Sequence, residues 1–530
     1  MKRISLIASC FFSLCFLANQ IQAQAFKYTF TFEGFSEAAA NSAEMSDSVA
    51  YLVNWFGGKQ YYNDTATINN KGQYIFEGED PKKAGVYGVL LGDKKSYVEF
   101  IIAEPEFSMT TSYGGDMMRK AVFTNSQENT AFQKYFNSMG RFQGETKMLQ
   151  DQMKATEDEK EKAKIQEDID TKLQVIKAFK KEFYKSHPEL FCTKVFMASD
   201  DPEIPEVPAG VEDPEQWKYM WFRKHYFDNI DLTDQRMLRT PVFHTKIDYY
   251  IQKLTPQVPD TICYETMRLA NISGEGTEIY RYIVQHTVNT YEKKKIMGMD
   301  AVFVGIAEQV YCQGKAYWLD EERTAEICER YEAMKNLVIG LPAENIILPD
   351  TGGYWTNLYE VDANYTVLIF WASDCGHCKK EMPKLLEAYH NMKDMGVKVF
   401  AVSTQFENKD WKKFVRENGL DWINVSDNPE INTNAYWYIT NNYSTINSLN
   451  FREYWDIFST PQVYILDKEK KIIGKKIGAE QLEDFLTKYD EDLMKEKSTV
   501  DPNANGKSDI RYQDALAPEQ PTGSSPVQKQ

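Results

Sequence analysis

Between residues 26 and 125 the chain alternates apolar and polar positions in short runs that are rich in Val, Ile, Tyr, Phe and Thr. Turns containing Gly, Asn and Asp separate these runs, and this combination predicts short β-strands. The predicted strands are residues 26–32, 51–56, 73–76, 86–91, 97–102 and 107–112. Because many short strands with regular turns are typical of an antiparallel sandwich or small barrel, we interpret residues 24–125 as an antiparallel β domain.

The period of the pattern changes at residue 125. Asn125 followed by Glu128 has the form of a capping box, and the sequence after it contains little Gly or Pro, which indicates helices. Thr156 with Glu159 predicts that the first long helical stretch is divided into a helical hairpin. Apolar residues at helical spacing continue downstream, so we interpret residues 126–340 as an all-α domain.

Residues 341–495 alternate between strand and helix patterns. The apolar run at residues 367–372 is typical of a strand that is buried in a parallel sheet. The other predicted strands are residues 397–404, 422–425, 463–466 and 472–477, and the predicted helices are residues 376–395, 409–417 and 479–495. A strand-helix-strand unit followed by an antiparallel hairpin and a closing helix indicates an α/β domain. The chain is therefore predicted to be multidomain.

The two ends of the chain have different compositions. Residues 1–23 combine the basic start Lys2-Arg3 with an apolar run at residues 4–17, as in a secretory signal. That run is shorter than the roughly 20 apolar residues that a membrane-spanning helix needs. We therefore expect a cleaved signal peptide, export to the periplasm or cell envelope, and a mature chain that does not span the membrane. Residues 496–530 contain few large apolar side chains and are predicted to be a disordered tail.

Charge and cysteine content narrow the classes of function. The net charge of -17 repels phosphate backbones, so nucleic acid is excluded as a partner. Export would place the chain where disulfides persist. Four cysteines occur singly in helical patterns: Cys192, Cys263, Cys312 and Cys328. Buried free thiols are their default interpretation, and a disulfide between two of them stays open because the sequence does not give connectivity.

The candidate chemistry lies in FWASDCGHCKKEMPKL at residues 370–385, where two residues separate Cys375 from Cys378. Haem attachment needs a histidine directly after the second cysteine, but Lys379 stands there. A structural zinc site needs further ligands, and the sequence contains no second Cys-x-x-Cys. Copper handling through the two cysteines and His377, or an inert thiol pair, remains an alternative to a redox couple.

The order of elements around these cysteines resembles that of the thioredoxin superfamily. More narrowly, it is similar to the exported thiol:disulfide reductases related to TlpA and ResA, whose core reads Cys-x-x-Cys-x-x-Glu-x-Pro. Cys375, Cys378, Glu381 and Pro383 match that core in register. The resemblance implies a cis-proline loop that faces the cysteines, and Thr460-Pro461 fits that place. The upstream domains resemble modules of unassigned function in exported proteins of Bacteroidetes.

The resemblance implies that Cys375 is the nucleophile and Cys378 the resolving thiol. At the first turn of a helix, the helix dipole stabilises the Cys375 thiolate and lowers its pKa. The imidazole of His377 can add to that stabilisation, whereas Asp374 opposes it by like charge. Glu381 is either a proton acceptor during resolution or a plain surface glutamate.

We expect Thr460 and Pro461, together with His377, to bind the substrate, because a cis bond would leave the Thr460 backbone able to pair with an extended segment. The predicted function is an exported thiol:disulfide oxidoreductase that needs no cofactor or metal. Its partners would be protein thiols or disulfides and an unidentified membrane or periplasmic electron donor, and the reductase or isomerase direction stays open. The alternatives are a cell-envelope scaffold or partner-binding protein with a vestigial thioredoxin-like domain, and a copper-handling protein.

Overall fold

The structure is a computed structural model that describes residues 25–35, 49–294, 296–405 and 408–499. The predicted signal peptide at residues 1–23 lies outside the described residues, as does most of the predicted tail. The described residues fall into two compact units, one within residues 1–295 and 299–328 and the other within residues 296–298 and 329–530. None of the helices that the structure describes is long and apolar enough to cross a membrane.

The first unit begins with two four-stranded sheets. Their strands are β1 Phe26–Glu33, β2 Val49–Phe56, β3 Lys59–Thr67, β4 Gln73–Gly78, β5 Gly85–Leu91, β6 Tyr97–Ile102, β7 Glu106–Ser112 and β8 Val122–Thr124. The strand orders are β4-β1-β7-β8 and β3-β2-β5-β6. Apolar side chains from both sheets form one shared core, because alternate residues of each strand point to the same face. The predicted β domain is therefore confirmed.

Two details of this domain differ from the prediction. Strands β1 and β7 pair in parallel, from Lys27 opposite Glu106 to Glu33 opposite Ser112, whereas an all-antiparallel domain was expected. Alternation of apolar residues has the same period in either direction, so the pattern does not encode strand direction. Strand β3 was also missed, because seven of its nine residues are exposed and its sequence KQYYNDTAT is largely polar.

Helices make up most of the chain from residue 117 to residue 334. They are α1 Met117–Lys120, α2 Gln127–Ala155, α3 Glu159–Ser186, α4 Phe191–Ser199, α5 Pro214–His225, α6 Pro241–Tyr249, α7 Pro259–Ser273, α8 Glu278–Lys293, α9 Asp300–Ile306 and α10 Glu321–Met334. Short helical turns at Gln235–Arg239, Tyr250–Leu254 and Ala307–Tyr311 join them. The predicted hairpin is present as α2 and α3, which agrees with the helical interpretation of this region.

The start of α2 is built differently from the predicted capping box. Ser126, not Asn125, is the N-cap residue, and its hydroxyl accepts a hydrogen bond from the Asn129 N–H at 3.0 Å. Glu128 is buried and does not cap its own helix. Its carboxylate accepts the N–H groups of Phe191 and Cys192 at 2.6 and 2.9 Å. A residue that was read as a local cap therefore fixes the start of α4, which lies more than 60 residues downstream.

The single cysteines divide into two kinds. Cys312 and Cys328 form a disulfide, so the default interpretation of buried free thiols is wrong for these two. Cys192 and Cys263 are buried free thiols, as expected. The pairing was not predictable because sequence spacing does not report which helical segments approach each other.

The second unit contains a sheet of five strands and a separate two-stranded hairpin. The strands are β9 Ile347–Pro349, β10 Trp355–Asn357, β11 Tyr365–Trp371, β12 Val397–Ser403, β13 Ile423–Val425, β14 Gln462–Leu466 and β15 Ile472–Lys475. The main sheet has the order β13-β12-β11-β14-β15. β11, β12 and β13 are parallel, and β14 and β15 are antiparallel to their neighbours. This arrangement confirms the predicted α/β domain.

Helices cover both faces of this sheet. They are α11 Gly376–Asn391, α12 Asn408–Glu417, α13 Pro429–Thr433, α14 Ala435–Thr440, α15 Ile446–Leu449, α16 Phe451–Tyr454 and α17 Ala479–Thr499. α11 and α17 pack on one face, and α13, α15 and α16 pack on the other, so β11 is buried along its whole length. Because α17 is helical as far as Thr499, the predicted tail does not begin at residue 496.

Candidate active site

The two cysteines lie where the central strand β11 passes into α11. A tight turn joins the two elements, and the Cys375 N–H donates to the Ala372 carbonyl at 3.2 Å. Cys375 is the N-cap of α11, and its sulfur accepts a hydrogen bond from the Cys378 N–H at 3.4 Å. Cys375 is half-buried, whereas the Cys378 side chain is fully buried, and both are free thiols. The first sulfur is thus accessible to solvent and the second faces the core.

The environments of the two sulfurs shift their pKa values in opposite directions. Burial raises the pKa of Cys375, but hydrogen bonds from the Thr460 side chain and from the backbone N–H groups of Cys378 and His377 outweigh it, so the pKa is lower than that of an ordinary cysteine. Burial raises the pKa of Cys378 to about 11. The thiolate is the reactive form of cysteine, so the accessible sulfur is also the more reactive one.

The segment before β14 faces these cysteines. The Thr460–Pro461 peptide bond is cis, and the Thr460 carbonyl lies 3.3 Å from the Cys375 sulfur. The ladder between β14 and β11 begins one residue after Pro461, at Gln462 opposite Phe370, so Thr460 lies beyond the last strand pair. The structure therefore brings together Cys375, Cys378, Thr460 and Pro461, although Cys375 and Thr460 are 85 positions apart in the chain.

The other predicted site residues are exposed or partly exposed. His377 is exposed directly beside Cys375. The Glu381 side chain is 30% exposed, and it lies 3.5 Å from the Lys384 amine, which also binds Glu480 at 2.7 Å. Asp374 is exposed as well, so its charge is screened by water.

Sequence reasoning missed the residue that holds the turn before Cys375. The Gln405 side-chain carbonyl accepts two hydrogen bonds from Ser373, one from its N–H and one from its hydroxyl. Gln405 follows the end of β12, which is the parallel neighbour of β11. The carboxyl ends of neighbouring parallel strands meet at one edge of the sheet, and this rule was the only available signal for Gln405.

A buried ion pair supports this edge of the sheet. The Asp427 side chain is fully buried, and two nitrogens of Arg452 bind its two carboxylate oxygens at 2.7 and 2.8 Å. Arg452 also donates to the Thr404 carbonyl at 3.1 and 2.9 Å. The Thr404 N–H in turn donates to the Trp371 carbonyl at 2.8 Å, at the end of β11. Through Thr404, the Asp427–Arg452 ion pair thus holds the end of β11, where the turn that leads to Cys375 begins.

Within the residues that the structure describes, there is no group of three or more His, Cys, Asp or Glu side chains that could hold a metal ion. The copper-handling alternative therefore rests on the sequence motif alone.

A Cys-x-x-Cys between a parallel strand and a helix, facing a cis-proline, defines a thioredoxin-like domain of the class found in thiol:disulfide oxidoreductases. Comparison with known proteins agrees: residues 339–475 match the AhpC/TSA family. This match covers the C-terminal region only. Residues 148–336 match a domain of unknown function, DUF5106, which is consistent with the predicted upstream modules of unassigned function.

One curated protein and two solved structures illustrate the similarity. The thiol-disulfide oxidoreductase ResA of Bacillus thuringiensis (strain Al Hakam) is 26% identical over 157 residues, which cover 29% of this chain and 80% of that protein. A domain of a possible thiol-disulfide isomerase from Cytophaga hutchinsonii is 36% identical, covering 30% of this chain and 97% of that chain, with a TM-score of 0.25. A thioredoxin-like protein from Bacteroides caccae is 20% identical, covering 54% and 98%, with a TM-score of 0.39.

Proposed function

We propose that the protein is an exported thiol:disulfide oxidoreductase that exchanges disulfides with protein substrates through Cys375-Gly376-His377-Cys378. The observation that carries this proposal is the asymmetry of the two sulfurs. Cys375 is accessible with a lowered pKa, and Cys378 is buried with a pKa raised to about 11. Such a pair divides the reaction between an attacking thiolate and a thiol that reacts second.

In the first step, the Cys375 thiolate attacks one sulfur of a client disulfide. A sulfur–sulfur bond forms between Cys375 and the client, the client disulfide breaks, and the second client sulfur leaves as a thiolate that takes a proton from water. The Thr460 backbone beside Cys375 lies beyond the end of the β14 ladder, so an extended client segment can pair with it as an added strand. Pro461, next to Thr460, and His377, two residues after Cys375, would contact the same client segment.

In the second step, Cys378 loses its proton and attacks the Cys375 sulfur. The Cys375–Cys378 disulfide forms, the bond between Cys375 and the client breaks, and the client sulfur that was bound to Cys375 leaves as a thiolate. The client is thereby reduced by two electrons and the protein is oxidised by two. Because the pKa of Cys378 is about 11, this step needs a proton acceptor, and we assign that role to Glu381, one helical turn further along α11. A dithiol electron donor in the membrane or periplasm then restores both thiols.

The direction of exchange depends on the reduction potential of the pair. Stabilisation of the Cys375 thiolate by His377 would favour the reduced form and raise the potential. Equilibration of the purified protein in glutathione buffers measures this quantity. A potential near about -180 mV supports isomerase-like exchange, and one near about -270 mV or below supports a reductase.

Export rests on the signal-like pattern of residues 1–23 and places the protein in the periplasm or cell envelope. Cell fractionation of the full-length chain, with N-terminal sequencing of the mature protein, tests this part. Recovery of an uncleaved chain in the cytoplasm would contradict it.

The activity is tested by reduction of insulin and refolding of scrambled ribonuclease. The Cys375→Ser variant should lose nearly all turnover, while Cys263→Ala, which removes a buried thiol elsewhere, should retain it. Unchanged turnover in Cys375→Ser would instead favour a scaffold whose thioredoxin-like domain is vestigial. Cys378→Ser should accumulate mixed disulfides, and the captured proteins would identify clients and electron donor.

A further inference from the structure

The loop that ends at the cis-proline has a fixed base. Trp455 is fully buried, and its carbonyl accepts hydrogen bonds from the Gln462 side chain at 2.9 Å and from the Tyr464 hydroxyl at 3.4 Å. The Trp455 and Tyr464 rings also pack together, with centroids 4.8 Å apart. The two ends of the loop at residues 456–461 are therefore held together by contacts of Trp455 with Gln462 and Tyr464.

This loop presents one large apolar side chain to water. Phe458 is 89% exposed, the highest value among large hydrophobic residues in the part of the chain that the structure describes. Phe458 is not part of the hydrophobic core. The core contacts at the base of the loop are made by Trp455, which packs against Phe370 and Tyr464. An exposed apolar side chain of this size at the border of a functional site indicates a place where a binding partner makes contact.

Phe458 lies at such a border. It precedes Thr460 by two residues, and the Thr460 carbonyl is 3.3 Å from the Cys375 sulfur. Two residues of extended chain span at most about 7 Å, so Phe458 borders the surface that a client must cover when its disulfide reaches Cys375. During disulfide exchange, the client is the polypeptide that lies next to Phe458.

We propose that Phe458 is a specificity-determining residue that contacts the client segment beside its reacting cysteine and favours clients with a large apolar side chain there. This inference rests on the proposed disulfide exchange. A client Leu or Phe that covers Phe458 removes apolar surface from water on both partners, whereas a client Ser or Asp does not. The protein would then select partly unfolded or misoxidised chains, whose apolar residues are exposed next to cysteines.

The test uses the full-length reduced protein in single-turnover reactions with two disulfide peptides. The peptides differ only in Leu or Ser next to the cysteine, and a small symmetric disulfide, hydroxyethyl disulfide, serves as a third substrate. We expect the wild type to react about fivefold faster with the Leu peptide. A rate ratio of this size corresponds to a modest fraction of the free energy gained by fully burying a Phe side chain. Phe458→Ala should abolish that preference and leave the rate with the small disulfide within about twofold.

Two further variants separate a specific contact from a general loss of apolar surface. Phe458→Leu keeps an apolar side chain and should retain most of the preference. Tyr436→Ala removes an aromatic ring that is 83% exposed elsewhere in the same unit and should leave the preference intact. A preference that persists in Phe458→Ala, or is absent from the wild type, overturns this inference alone. Failure of the wild type to reduce even the small disulfide counts instead against the proposed function.

Discussion

The side-chain carbonyl of Gln405 accepts the Ser373 N–H at 2.8 Å and the Ser373 hydroxyl at 2.6 Å. Ser373 is 6% exposed and lies inside the turn that the Cys375 N–H closes onto Ala372. The side chain of Gln405, just after the end of the neighbouring strand β12, therefore holds in place the turn that positions the Cys375 sulfur at the N-terminus of α11.

Gln405→Ala should loosen this turn, because it leaves the buried Ser373 N–H without its acceptor. We expect a loss of about 1–3 kcal/mol in the free energy of unfolding. The pKa of Cys375 should also rise toward the value of an ordinary cysteine, because its hydrogen bonds depend on the position of the turn. Denaturant unfolding and the pH dependence of alkylation measure the two effects. Ser373→Ala keeps the N–H bond and should give smaller changes, and a stability loss with no pKa change would show that Gln405 is only structural.

The opposite pKa shifts of the two cysteines predict different pH profiles for alkylation. In Cys378→Ser, the rate at Cys375 should rise with pH and reach half its maximum at a lower pH than for an ordinary cysteine, because only the thiolate reacts and its pKa is lowered. In Cys375→Ser, the rate at Cys378 should stay low near neutral pH and rise only toward pH 11, where the buried thiol ionises. Iodoacetamide labelling followed by mass spectrometry distinguishes the two sites. Equal rates at pH 7 would contradict the assignment of Cys375 as the nucleophile.

Glu381→Gln should slow the second step and spare the first. The Gln side chain has nearly the same shape as Glu but does not accept a proton. The substitution leaves Cys375 and its hydrogen bonds unchanged. Rapid-quench analysis should show a mixed disulfide that persists about 100-fold longer, the lower end of the usual range for general acid–base catalysis. Glu387→Gln, an exposed glutamate further along the same helix, is the matched control. An unchanged lifetime would make Glu381 a surface residue.

Removal of the Cys312–Cys328 disulfide should destabilise the first unit. The two cysteines are 16 positions apart, and closing a loop of that length restricts the unfolded chain by about 3 kcal/mol. Cys312→Ala with Cys328→Ala should therefore unfold at a lower temperature than the wild type in calorimetry without reductant. Added dithiothreitol should lower the wild-type transition and leave that of the double variant in place.

Parts of the fold that depend on local periodicity were predictable. The strand before Cys375, the helix after it and the closing hairpin all match the structure, because apolar spacing of two or about 3.6 residues is set within a few residues of chain. The parallel pairing of β1 with β7, the polar strand β3 and the role of Glu128 were missed. Each of these depends on which distant segment lies alongside, and no local pattern carries that information.

The sequence by itself determined that two cysteines stand at the junction of a buried strand and a helix, since strand, turn and helix signals all lie within about 25 residues. Only the tertiary structure decided that Gln405 holds the turn, that Asp427 and Arg452 fix the strand ends, and that Phe458 stays in water beside Thr460. The physical reason is that backbone preference and amphipathic spacing are local properties. Contacts between residues far apart in the chain depend on the strand order of the whole sheet.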